Sequence, residues 1–197
     1  MSKTLSFKSE LKRKIIHLMS LFFPVFYYYT ENNVAFIYLI CIIALITLAF
    51  DLLRLNYNYF KILHIFFLGN VVRVYEKKNL YSATYLILSF ASISIIFDKH
   101  VAITAMMITA IADSFAAIVG LRYGDIWLFN NKTLQGTFTF FTATFIILVL
   151  FTVNTSFYYL LLCSLFFTLI ELFTKTEYDN ITVPFFSALI INLGILI

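Results

Sequence analysis

Apolar side chains run nearly unbroken through seven stretches of the chain, residues 15–29, 34–53, 80–97, 101–120, 137–153, 157–173 and 181–197, with polar residues collected in the gaps. A membrane helix needs about 20 mostly apolar residues at a rise of about 1.5 Å each, and these stretches approach that length. Lipid offers no partner to backbone N–H and C=O groups, so a crossing segment must close its hydrogen bonds internally. The stretches are also too long and too little alternating for barrel strands. The pattern therefore predicts an all-α, polytopic integral membrane protein, one domain over residues 1–197 with about seven transmembrane helices. Tyr27-Tyr28-Tyr29 stands where an interfacial aromatic belt belongs, and no small-residue cleavage site follows, so the first stretch reads as a membrane helix rather than a signal peptide. Between the second and third stretches, residues 55–79 are too polar to cross. Phe60, Leu63, Phe66, Phe67 and Val71 recur there at roughly helical spacing, with Lys61, His64 and Arg73 elsewhere, which predicts an amphipathic segment lying in the interface.

Composition narrows the classes. The 197 residues are 62% apolar and 12% charged, against roughly 45–50% and about 25% in soluble domains. A soluble domain this small could not bury so much apolar surface, and disorder is excluded by the same figures. Cys41 and Cys163 both lie in apolar runs, so no disulfide scaffold is implied. The net charge of +4 becomes informative by position. With the N-terminus in the cytoplasm, seven crossings put every Lys and Arg inside except Lys99, as the positive-inside rule requires. Topology thus accounts for the basic balance without a nucleic-acid partner.

Against this background the rare polar residues carry the chemistry, and the predicted topology gathers nearly all of them at the cytoplasmic face. Asp113 stands seven residues before Gly120, about 10 Å below the end of its helix. A carboxylate at that depth is costly and by default faces a wet cavity, a cation or a buried partner. Ala112, Ala116 and Gly120 form a small-residue seam on the same helix, which lets a neighbour approach closely. The loop 121–136 holds Gly124, Lys132, Thr133 and Gly136 at the start of the next helix. Free N–H groups and the positive end of a helix dipole make a phosphate cradle there, to which Lys132 adds a charge. The simpler alternative is a topology anchor with a Thr cap. Walker A spacing is absent. Glu171, Asp179 and Asn180 offer oxygen ligands of the kind magnesium takes beside substrate phosphates, or else solvated loop residues before a helix capped by Thr182 with Pro184 in its first turn. Glu10 with Arg13 or Lys14, and Asp51 with Arg54, have the spacing of helical ion pairs. His17 lies one turn deeper.

In order along the chain, these motifs read Glu10-x-x-Arg13-Lys14-x-x-His17 with Pro24, Asp51-x-x-Arg54, Asp113-Ser114-x-Ala116-Ala117-x-x-Gly120-x-x-x-Gly124, Lys132-Thr133-x-x-Gly136-Thr137, and Glu171 followed by Asp179-Asn180-x-x-x-Pro184. That series resembles the family of CTP-dependent polyprenol kinases, which includes dolichol kinase, phytol kinase and the CTP-using diacylglycerol kinase. The resemblance implies transfer of the terminal phosphate of CTP to the hydroxyl of a long-chain lipid alcohol, with a nucleotide region over Asp113–Gly136 and a second acidic region from Glu171 to Asn180. Gln135 stands where many relatives carry Glu, and Ala83 replaces a Gly expected near the start of the third stretch. The segment from Asp113 to Gly136 also looks like part of phosphatidate cytidylyltransferase, whose later signature is absent here. The expected site has Mg2+ held among Asp113, Glu171, Asp179 and Asn180. Lys132, Arg13, Lys14 and the backbone near Gly120, Gly124, Thr133 and Gly136 would face the CTP phosphates. Asp113 or Glu10 would accept the hydroxyl proton, with His17 beside them. A CDP-lipid-forming cytidylyltransferase and a small non-enzymatic transporter are the rival expectations.

Overall fold

The computed structural model describes residues 7–62, 72–73, 75–152 and 155–195. The helices among them include α1 (Phe7–Leu18), α2 (Phe22–Tyr29), α3 (Asn33–Asn56), α4 (Ser82–Ile96), α5 (Lys99–Met107), α6 (Asp113–Tyr123), α7 (Leu134–Phe151), α8 (Phe157–Phe173) and α9 (Asp179–Ile195), and residues 58–62 are also helical. No strand occurs among the described residues beyond one isolated bridge, Trp127 to Thr133. Much of the interfacial segment expected at 55–79 lies outside the described residues, including Leu63, His64, Phe66, Phe67 and Val71.

Where helices start and break follows from local chemistry. The Asn32 side chain accepts from Ala35 N at 3.1 Å and caps α3, satisfying an N–H that has no partner within the helix. The first apolar stretch is not one continuous α-helix. A 3₁₀ turn at Met19–Leu21 separates α1 from α2. Pro24, in the first turn of α2, lacks the N–H that would bond back to Ser20 and crowds that carbonyl. The last helix begins at Asp179, earlier than the Thr182 cap expected from sequence. Thr182 instead donates its hydroxyl to Tyr178 O at 3.1 Å, and Pro184 sits inside the helix.

Helices α5 and α6 are joined through a π turn, Ile108–Ala112, into one long central rod. Small side chains (Ala102, Ala105, Ala110 and Ala112 are all fully buried) let α1, α2, α4, α7 and α9 pack around it. Of its apolar window 78% is buried, against 22% for α3, which packs chiefly on α4. The outer face of α3 leaves Tyr38 68% and Leu45 65% exposed, with Leu39, Ile42, Ile46 and Phe50 beside them. Burying one such side chain is worth about 1.5–3 kcal/mol, so a continuous band of them calls for an apolar solvent. Three helices among the described residues, Asn33–Asn56, Lys99–Tyr123 and Leu134–Phe151, are long and apolar enough to cross a membrane, while Ser82–Ile96 and Phe157–Phe173 are apolar but shorter. The protein is an all-helical membrane protein.

This arrangement brings together the Glu10–His17 face of α1, the junction of α5 and α6, the end of α3, the start of α4, the end of α8 and the start of α9. At the opposite end Lys99 donates to Thr30 O at 2.6 Å and lies over the Tyr27 ring.

Candidate active site

Glu10, Lys14 and His17 recur at helical spacing and are the buried residues of α1. Lys14 Nζ reaches Asp113 Oδ2 at 2.6 Å and Asp113 O at 3.4 Å, and His17 Nε2 lies 3.3 Å from the same carboxylate oxygen. His17 Nε2 is also 3.3 Å from Thr109 O. Both neighbours are acceptors, which assigns the ring proton to Nε2. Thr109 belongs to the π turn, where the regular i→i−4 ladder is interrupted, and its carbonyl takes a side-chain donor. The turn also sets the rotation at which Asp113 leaves the rod.

Lys132 arrives on a tight hairpin. Asn130 and Asn131 both have left-handed backbone, φ 54° and 61°, and Lys132 N donates to Phe129 O at 3.0 Å across them. Two successive positive φ values define a type I′ turn, a conformation Asn tolerates better than most residues. Leu128 N to Lys132 O at 2.7 Å and Leu134 N to Ile126 O at 2.9 Å close the hairpin. Asn130 Nδ2 donates to Phe173 O at 2.8 Å and Leu172 O at 3.3 Å, tying the hairpin to the unsatisfied carbonyls at the end of α8. Lys132 Nζ is thereby placed 2.9 Å from Glu171 Oε1 and 3.2 Å from Asp179 Oδ1, and it donates to Glu171 O as well. Burial pushes the Lys132 ammonium down, but the Glu171 and Asp179 carboxylates outweigh it and hold the group above its ordinary value.

Asp113, Glu171 and Asp179, from three different helices, each offer a carboxylate oxygen, and these oxygens lie within 4.8 Å of one another. Glu171 Oε2 is buried with no hydrogen-bond partner. Magnesium–oxygen bonds of about 2.0–2.1 Å and calcium–oxygen bonds of 2.3–2.6 Å put ligand oxygens at most about 4–5 Å apart. The donor set therefore fits a hard divalent cation. Asn180, expected among the ligands, spends its amide N–H on Ser82 O at 2.9 Å, which fixes the start of α9 against α4.

The glycines of the expected cradle serve close packing of α6 on α7. A Cβ on Gly120 would stand 2.8 Å from Thr133 Oγ1, and one on Gly136 would stand 2.9 Å from Ala116 O. A Cβ on Gly124 would run into Gly120 O. Thr133 is the cap of α7 and accepts from Gly136 N at 3.2 Å. The small-residue seam thus meets the first turn of α7.

Glu10 faces guanidinium groups. Arg13 Nε lies 2.8 Å from Oε2, and Arg73 reaches Oε1 with Nε at 2.9 Å and Oε2 with Nη2 at 3.3 Å. Burial raises the Glu10 carboxyl, but Arg13 and Arg73 overcome this and hold it below its ordinary value. Arg13 Nη2 is buried without a partner. Sequence reasoning missed Glu76. Its Oε1 accepts from Ser82 N and Ser82 Oγ at 3.0 and 2.5 Å, and its Oε2 accepts from Arg73 N at 2.7 Å. Glu76 therefore links the Arg73–Glu10 pair to the α4 turn that holds Asn180. In sequence it is one charge beside Lys77 and Lys78, and no spacing marks it out.

No family model matches the chain, and no solved structure matches it. It is 30% identical over 142 residues to CTP-dependent diacylglycerol kinase 1 of Saccharomyces cerevisiae, an alignment covering 69% of this chain and 48% of the yeast protein. The chain thus spans about half the length of that relative. It is also 35% identical over 191 residues to Uncharacterized protein RP860 of Rickettsia prowazekii, covering 92% of this chain and 93% of the relative. At that identity, over nearly the whole of both proteins, the chain belongs to the same protein family as the Rickettsia protein.

Proposed function

We propose that this protein is a membrane-embedded lipid kinase that transfers the terminal phosphate of CTP to the hydroxyl of a long-chain lipid alcohol of the polyprenol, phytol or diacylglycerol type. The observation that carries this is the meeting of Asp113, Glu171 and Asp179 within 4.8 Å, with Lys14 and Lys132 on their oxygens. The similarity to the yeast CTP-dependent kinase supports the nucleotide and the reaction class. The chain would cross the bilayer about seven times, with its N-terminus and the site at the cytoplasmic face, where soluble CTP meets a lipid hydroxyl.

Phosphoryl transfer asks mostly for positioning and for stabilisation of charge on the phosphate oxygens. Asp113, Glu171 and Asp179 would hold a magnesium ion, which when bound supplies positive charge to the triphosphate. Lys132 and Lys14 supply further charge, and the buried, unpaired Nη2 of Arg13 is a donor free for an anionic oxygen. Glu10 is engaged at both oxygens by Arg13 and Arg73. The carboxylate contacts of Asp113 with Lys14 and His17 both fall on Oδ2, so its other oxygen would take the hydroxyl proton as the new O–P bond forms and CDP departs. His17, with its Nε2 proton directed at Asp113 and Thr109, orients that carboxylate.

The test is turnover by purified protein with CTP, Mg2+ and a panel of lipid alcohols. Release of CDP with a phosphorylated lipid is expected. Pyrophosphate with a CDP-lipid would replace the kinase by a cytidylyltransferase. No nucleotide turnover with any acceptor would overturn the enzymatic reading in favour of a transporter.

A further inference from the structure

We infer that Lys132 is an internal counter-ion that competes with a divalent cation for Glu171 and Asp179, so that cation entry and polyphosphate binding are coupled through one side chain. The inference rests on the function proposed above and extends it. An ammonium has three donors and no acceptor. Lys132 has three acceptors around it: Glu171 Oε1 at 2.9 Å, Asp179 Oδ1 at 3.2 Å and Glu171 O. Two of those atoms belong to the carboxylates that converge with Asp113. A metal drawing on the same oxygens would face a like charge within a few ångströms, in surroundings where the lysine side chain is only 10% exposed. The independent sign that the acids are not saturated by lysine is Glu171 Oε2, buried and unpaired.

Displacement leaves a buried ammonium in need of an anion, since an unpaired buried charge is strongly disfavoured. The lysine sits at the mouth of the hairpin, on a four-carbon stem that can swing, and phosphate oxygens are the partners its chemistry suits. A cation alone therefore takes the two carboxylate partners of Lys132 and leaves it only the neutral Glu171 carbonyl, whereas a cation arriving with a polyphosphate supplies a replacement anion. Lys14 does not have this arrangement. Among the described residues its side chain donates to one residue, Asp113, through Oδ2 and the backbone carbonyl.

The experiment is Mn2+ binding to the full-length protein in detergent, followed by the electron paramagnetic resonance signal of free Mn2+. Wild type, Lys132→Met, Lys132→Gln, and Lys132→Met combined with Asp113→Asn are compared. Without nucleotide, both single variants should bind Mn2+ about tenfold tighter than wild type or better, a modest fraction of what two like charges at this separation imply. The double variant should lose that gain. Binding of CTP in the presence of Mn2+ should move the opposite way, weakening in both single variants. A merely damaged site would weaken both ligands together. Unchanged or weaker Mn2+ binding in the two single variants would overturn the inference while leaving the metal site standing. Absence of Mn2+ binding in wild type and variants alike would overturn the metal site as well. Lys132→Gln keeps a hydrogen-bond donor and carries the same expectation should Lys132→Met not fold.

Discussion

Two clusters of buried charge lie side by side in this bundle, and they are completed to different degrees. Around Asp51 and Arg54 every carboxylate oxygen has donors. Asp51 Oδ1 accepts from Arg54 Nε and Nη2 at 2.8 and 2.5 Å, and Oδ2 accepts from Tyr81 N and Thr84 Oγ1 at 2.6 and 2.8 Å. Arg54 continues to Glu76 O and Asn79 O and stacks on the Tyr81 ring. Around Asp113, Glu171 and Asp179 three acids share two lysines, and one Glu171 oxygen has no partner. A buried polar network holds a fold when every member is satisfied and is a liability when one is not. The first cluster is a clamp joining α3 to α4. The second keeps unused hydrogen-bonding capacity at Glu171 Oε2.

The largest expected effect separates chemistry from folding. Asp113→Asn should lower CTP-dependent lipid phosphorylation by on the order of 10⁴-fold, while the protein, whose Asn oxygen can still accept from Lys14, inserts and melts cooperatively in detergent at a lower temperature than wild type. Full activity in that variant would take Asp113 out of the mechanism. The converse experiment comes next. Asp51→Ala leaves Arg54, Tyr81 N and Thr84 without their acceptor, and should destabilise the protein by about 3–5 kcal/mol. A melting point equal to wild type would mean that the clamp does not hold α3 to α4.

A smaller effect tests the seam between α6 and α7, beside the second cluster. Gly120→Ala brings a methyl within 2.8 Å of the capping Thr133 hydroxyl and should cost about 1–3 kcal/mol through overpacking. Repacking without loss of stability would show that α6 and α7 can separate freely. The smallest concerns acid. Glu10 is held below its ordinary value by Arg13 and Arg73, with burial opposing. Its contribution is therefore whole above the ordinary glutamate value of about 4.3 and fades as pH falls through the lower folded-state value. Glu10→Gln should flatten that part of the melting curve against pH. Identical acid limbs for the two proteins would remove the pair from the stability account.

Part of this was legible in the residues alone. Asp113 announces itself because an ionisable group inside an apolar run is expensive and rare, and Ala112, Ala116 and Gly120 mark the face on which α7 arrives. Phe157–Phe173 forms a helix over the stretch its hydropathy outlines. Other features were not legible. The π turn before Asp113 depends on the helices packed around it. The role of Glu76 depends on Ser82 and Arg73 being brought to it. The Asn130-Asn131 turn has a local signature, but only the position of α8 shows what the turn is for.

By itself the amino-acid order determined the solvent of this protein, its helical character and the short roster of polar groups able to do chemistry. Those properties depend on relations within a few residues and on partition between water and lipid. Tertiary structure alone decided which of those groups are neighbours. Lys14 meets Asp113 across 99 positions and Lys132 meets Asp179 across 47. Separations of that size carry no local periodicity, and only the close packing of small side chains around the central rod brings such groups within bonding distance.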